Sequence, residues 1–225
     1  FVAQELINKV KSKCCGIKVI KIMMKTAICL ALLTATLISC NDKKDLTIFP
    51  AGCELKTGDI VFRRGGGISS HAVMMADRNG RYSHVGIVVD SAGKKMIVHA
   101  VPDEPDFEGD PDRVKMETPE KFFSPINANA GEVKRLKGNT IVPLKAAEYA
   151  MQTYRRNTLF DHDYDDSDTT KMYCCELVEF AYAKAGLTLA GTERHDISLP
   201  GMKEIRCMLP SDICNNKSLK KIIAF

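Results

Sequence analysis

Leu177, Val178, Ala181, Tyr182 and Ala185 recur at three- and four-residue steps, and Gly186 follows them. That spacing predicts an amphipathic helix that opens at residues 172–175 and stops at Gly186, a residue suited to the left-handed conformation past a helix end. A second helical pattern covers 69–77, with Ser69 or Ser70 as N-cap, and a third covers 143–155, with Pro143 in its first turn. Runs rich in β-branched residues predict strands at 60–63, 82–90, 95–101, 113–118 and 131–136. A helical turn is expected at 119–123, a turn at 209–213, and a short apolar element at 218–224. Pro, Gly and acidic residues mark 102–112 and 159–168 as loops, both expected to be solvated. Strands and helices mixed in this way predict an α+β fold, a small antiparallel sheet packed on helices.

The helix at 172–186 carries Cys174 and Cys175 in its first turn. Unsatisfied N–H groups and the positive end of the helix dipole there stabilise a thiolate, so either cysteine is placed as a nucleophile. The plain alternative is two small buried hydrophobes. The strands at 82–90 and 95–101 form a hairpin around a turn at 91–94. If Asp90 pairs with Lys95, Gly86 lies opposite His99, and His84 and His99 share one face as diagonal neighbours. Slipping the register by one residue would separate them. On one face they suit a base and its orienting partner, or two metal ligands. Taken singly, each is as well explained as a structural histidine.

Gly65-Gly66-Gly67 is followed by no Lys-Ser/Thr and reads as a flexible turn beside a cleft, not a phosphate loop. The acidic run at 159–168 raises calcium: with Asp165 as first ligand, Glu176 falls at the twelfth position. Thr170 then stands where the sharp turn wants glycine, which favours a solvated loop. Adjacent cysteines with dispersed histidines lack the paired spacing of a structural zinc site, so no metal and no cofactor is expected.

The chain has 225 residues, 45% hydrophobic and 27% charged, enough for one sizeable core. Of 32 basic and 28 acidic side chains, six lysines and one glutamate lie in residues 1–39; the remainder carries 26 basic against 27 acidic. The positive charge therefore belongs to the leader, and the body offers no electrostatic reason to bind nucleic acid. Lys25 precedes an apolar run from Thr26 to Ser39, too short to span a bilayer and of the length of a signal-peptide core. It ends in Leu37-Ile38-Ser39-Cys40, which resembles a bacterial lipobox. The expected organisation is an upstream extension at 1–22, a lipoprotein signal peptide at 23–39, a lipidated Cys40 with a polar tether to residue 52, and one folded domain at 53–225. Such a product is anchored through Cys40 at a membrane of the bacterial envelope. Cysteines 40, 53, 174, 175, 207 and 214 remain after the leader, and Cys207 and Cys214 could pair across Pro210.

Three segments in order carry a family resemblance: Gly58-Asp59-Ile60-Val61-Phe62, then Tyr82-Ser83-His84-Val85-Gly86-Ile87-Val88, then Tyr173-Cys174-Cys175-Glu176-Leu177-Val178. Together they resemble the YiiX-like branch of the NlpC-type, circularly permuted papain-like amidases. Asp161 and Leu209-Pro210-Ser211-Asp212 match weaker features of the same pattern. The resemblance implies a permuted papain-like fold with Cys174 as nucleophile, His84 as general base and His99 as the third, orienting residue. It also implies supporting or substrate-facing roles for Asp59, Tyr82, Ser83, Tyr173, Cys175 and Glu176. Many relatives carry glutamate at the third position, so His99 implies a neutral orienter; Cys175 replaces a serine. The implied reaction is cleavage of an amide bond in a small peptide-like, acyl-amino-acid or lipid substrate through a thioester. Acyl transfer to another acceptor at the same site, and a binding lipoprotein without catalysis, are the alternatives.

Overall fold

The computed structural model describes residues 46–78, 80–198 and 204–225. The signal-peptide region and Cys40 lie outside the described residues. In chain order the elements are β1 (Ile60–Arg64), α1 (Ile68–Ala76), β2 (His84–Ser91), β3 (Lys94–Val101), β4 (Arg113–Glu117), α2 (Pro119–Phe122) and β5 (Ala130–Leu136). There follow α3 (Ile141–Arg155), β6 (Leu159–Phe160), β7 (Lys171–Met172), α4 (Cys174–Lys184), β8 (His195–Ile197), β9 (Ile205–Cys207), α5 (Pro210–Cys214) and β10 (Leu219–Ala224).

Eight strands form one sheet in the order β10-β5-β1-β2-β3-β4-β6-β7, while β8 and β9 form a separate hairpin. The large sheet is antiparallel except for the β6–β7 pair. Alternation along the strands divides its two faces. Val85, Ile87, Val89, Val98 and Ala100 pack with Ala146, Ala150, Leu177, Val178 and Ala181 of α3 and α4. Val61, Val88, Ile97 and Val133 pack on the other face with Phe122 and Phe123. Each fully buried aliphatic side chain in these layers contributes about 1.5–3 kcal/mol, which is what holds α4 against the sheet.

The hairpin register is the one that pairs Asp90 with Lys95. Gly86 then faces His99, and a Cβ there would lie 2.8 Å from Ile97 Cγ2 and 3.2 Å from His99 Cβ. The glycine of the Ser-His-Val-Gly-Ile segment is thus required for the histidines to stand side by side. At the end of α4, Gly186 takes φ 96° and Leu187 N donates to Tyr182 O at 3.0 Å, as expected for a glycine-terminated helix.

Two expectations need correction. The 102–112 segment is not a free solvated loop: Asp106 and Asp110 each meet Lys115 Nζ at 3.1 Å, and Glu104 pairs with Arg63. Cys207 and Cys214 are both buried free thiols and do not bridge.

Candidate active site

Tyr173 ends the extended approach to α4 and places Cys174 at its first helical position. Helical N–H groups there have no intrahelical acceptor, so the Cys174 N–H is free to meet an oxyanion. Its sulfur lies 3.9 Å from that of Cys175. The Cys174 thiol is held well below its ordinary range. The hydrogen bond from Cys175 contributes most, burial opposes it, and His84 and the Val85 N–H lower it further. Burial and the neighbouring Cys174 raise the Cys175 thiol instead. The two thiols therefore have unequal roles: Cys174 is the sulfur that gives up its proton the more readily, and Cys175 is its buried S–H donor.

His84 and His99 come together as the hairpin register requires. His84 Nε2 lies 2.8 Å from His99 Nδ1, and both rings pack edge or tilted against Phe122. His84 Nδ1 is left for the Cys174 thiol, with which the ring forms a hydrogen bond. Burial, reinforced by the Arg63 charge, brings His84 down to about 4, so its imidazole is neutral at pH 7 and open to a proton.

Behind the third position stands a carboxylate. His99 Nε2 lies 3.2 Å from Glu117 Oε2, slightly off hydrogen-bond alignment, and Glu117 also meets Lys121 Nζ at 2.8 Å. Burial would raise the Glu117 carboxyl, but His99 and Lys121 outweigh it and keep it ionised. Burial is the main cause that holds His99 below its ordinary range, so it is neutral beside that carboxylate. The charge dictates the tautomers. Glu117 favours His99 protonated on Nε2; His99 Nδ1 then accepts from His84 Nε2–H; His84 Nδ1 is left as the lone pair facing sulfur. His99 is the neutral orienter expected at the third position, and an anion backs it one residue further out.

Glu117 gives little signal in the sequence. Arg113, Lys115 and Glu117 alternate along β4 like an exposed polar edge, but Lys115 and Glu117 are 2% and 3% exposed because α2 and the 102–112 segment cover them. Tyr164, with φ 56°, lies in an acidic loop with no periodic pattern to mark it, yet it stands beside Cys174 in the cleft.

The other motif residues divide. Ser83 lines the cleft with His84, and its Oγ accepts from Gly65 N at 3.0 Å, which places the Gly65–Gly67 turn beside the cleft as expected. Tyr173 borders Cys174, and its hydroxyl accepts from Met208 N at 3.0 Å. Glu176 is buried and accepts from Tyr173 N at 3.3 Å, which supports the helix start. Tyr82 is core, packed on Phe62 at 5.8 Å and hydrogen-bonded to Glu132. Asp59 is not at the site. It binds Arg135 at 2.6 and 2.7 Å beyond the far end of β1. The calcium geometry does not form, since strand β7 interrupts the loop and Glu176 is committed to α4. Among the described residues no group of three or more His, Cys, Asp or Glu side chains could hold a metal ion.

Comparison with known proteins gives the fold and the family. No curated relative matches the sequence. A solved structure described as the metalloprotein yiiX from Escherichia coli O157:H7 superposes with a TM-score of 0.61 at 20% identity, covering 76% of this chain and 98% of that one. It establishes a shared fold. The family model of the permuted papain-like amidase enzymes, YaeF/YiiX, C92 family, matches residues 54–223. That span contains the thiol, both histidines and the carboxylate behind them, and the chain belongs to this family of permuted papain-like amidases.

Proposed function

We propose that this enzyme hydrolyses an amide bond through a thioester on Cys174, with His84 as base and then acid. The single observation that carries the reading is the aligned series Cys174–His84–His99–Glu117, in which each group sets the protonation of the next. The Cys174 thiol passes its proton to His84 Nδ1 as its sulfur adds to the carbonyl carbon, and the Cys174 N–H receives the developing oxyanion. His84 delivers its proton to the leaving nitrogen, and the C–N bond breaks. Water, deprotonated by His84, then cleaves the thioester and restores the thiol. A depressed thiol at a helix start speaks against a binding protein that has lost catalysis.

The reading includes an envelope location, supported by the apolar run Thr26–Ser39 and the lipobox-like Leu37-Ile38-Ser39-Cys40. The proposed anchor is the lipid on Cys40; among the described residues no helix is long and apolar enough to cross a membrane. The catalytic proposal is tested with Cys174→Ala. Amide cleavage is expected to fall by at least 1,000-fold with folding retained. Unchanged cleavage in that variant overturns it.

A further inference from the structure

Amide cleavage uses one of the two thiols at the start of α4. Cys175 serves it only as a hydrogen-bond donor, and a hydroxyl at that position would donate as well. What a thiol alone adds is the capacity to bond covalently to Cys174. The Cys175 sulfur lies 3.9 Å from that of Cys174, and its side chain is 1% exposed. Cys174 is half-buried and borders two cavities of the cleft, of about 210 and 250 Å³. A hydroperoxide, little larger than water, therefore has room to reach the Cys174 sulfur. Of the two thiols it is also the more readily deprotonated, and thiolate character with access is what directs oxidation. Cys207, a buried free thiol, borders the smaller cavity and is the rival partner.

We propose that the pair is a redox modification site: a hydroperoxide oxidises Cys174, and Cys175 captures the product as a Cys174–Cys175 disulfide that switches the nucleophile off reversibly. This rests on the thiol-amidase reading only for its consequence, the loss of amide cleavage. In the first step the Cys174 sulfur attacks one peroxide oxygen and the O–O bond breaks. Cys174 becomes a sulfenic acid, and the other oxygen leaves as water or an alcohol with the thiol proton. In the second step the Cys175 sulfur attacks the Cys174 sulfur, the S–O bond breaks, and the hydroxyl leaves as water with the Cys175 proton. The two sulfurs together lose two electrons, which the peroxide gains. A small dithiol returns them: it exchanges with the new bond through a mixed disulfide, becomes a disulfide itself, and leaves both cysteines as thiols. Cys174 is the first helical residue, so its N–H gives up no helix bond when the pair closes. Adjacent Cα atoms stand about 3.8 Å apart, closer than the roughly 4.4–6.8 Å that relaxed disulfides span, so the ring is strained and readily reduced.

The test treats the full chain with hydrogen peroxide, alkylates it with iodoacetamide, and cleaves it after Lys171 and Lys184 for peptide mass spectrometry. Expected in the wild type is a 172–184 peptide lighter by two hydrogens and unlabelled at both cysteines. Dithiothreitol is expected to restore alkylation of Cys174, and cleavage of an N-acyl amide with it. In Cys175→Ser the sulfenic acid has no partner thiol, so dimedone labelling of Cys174 is expected to rise about tenfold and sulfinic acid to accumulate. Cys207→Ser is expected to leave the 174–175 bond and its reversal as in the wild type. A wild-type peptide with Cys174 sulfinic acid and no disulfide, a bond from Cys174 to Cys207, or equal dimedone labelling in wild type and Cys175→Ser overturns the inference. If the bond forms and reverses while Cys174→Ala cleaves amides as the wild type does, the hydrolase reading falls and the redox pair stands. If cleavage depends on Cys174 yet peroxide yields only sulfinic acid, the redox pair falls and the hydrolase reading stands.

Discussion

At the residue scale, the surroundings of Cys174 suit the reaction proposed for it. An S–H donor, a backbone N–H and a neutral imidazole converge on one sulfur at a helix start. Because burial and Arg63 bring His84 down to about 4, it stays an available base at pH values where an ordinary histidine, near 6.5, is protonated. The acid limb of kcat/KM is therefore expected near pH 4, and a pH–rate profile reads it directly; a limb near 6.5 contradicts the assignment. Glu117→Gln removes the anion that favours a proton on the two rings. Its expected effect is a fall in kcat on the order of 100-fold, with the acid limb moved to still lower pH because the His84 imidazolium loses support. A merely structural role for Glu117 would lower the folded fraction and leave that limb in place.

Elements set these residues at the required spacing. Gly86 leaves room for His99, and Gly86→Ala is expected to cost about 1–3 kcal/mol by overpacking, measured by urea unfolding. The start of α4 holds a second device. Burial, aided by Asp161, Asp166 and Asp168, pushes the Glu176 carboxyl up to about 9 against an ordinary 4.5, although the Tyr173 N–H opposes the shift. Below 4.5 both folded and unfolded chains hold that proton. Between 4.5 and about 9 only the folded chain does, so rising pH draws stability down across that window. Glu176→Gln is expected to flatten this fall, seen as urea midpoints that converge between pH 5.5 and 8.5; parallel midpoints would sink the idea. The hairpin, the three long helices and the cysteine pair at the start of α4 are legible in the sequence because each depends on local periodicity or a short turn. Glu117 is not, because its burial depends on how α2 and the 102–112 segment fold over β4. Asp59 sits in a matching motif, yet its partner Arg135 comes from β5, a pairing that no local pattern encodes.

On the scale of the whole molecule, one long sheet carries α3 and α4 on one face and the histidine pair, beneath Phe122 of α2, on the other. The cleft opens where α4 meets the start of β2, so the reaction centre lies at a joint between layers and not inside either. For the full chain, the proposed lipid on Cys40 predicts that Cys40→Ser moves the protein from the membrane to the soluble fraction and abolishes labelling by a fatty-acid analogue; equal partitioning of both forms contradicts it. Everything proposed for the cleft depends on chemistry at one sulfur. That chemistry is tested most directly by quenching a single turnover of an N-acyl amide and locating the added acyl mass by peptide mass spectrometry. One acyl group is expected on Cys174, released by water with the kinetics of turnover. Turnover with the acyl group elsewhere, or with none formed, contradicts the thioester mechanism.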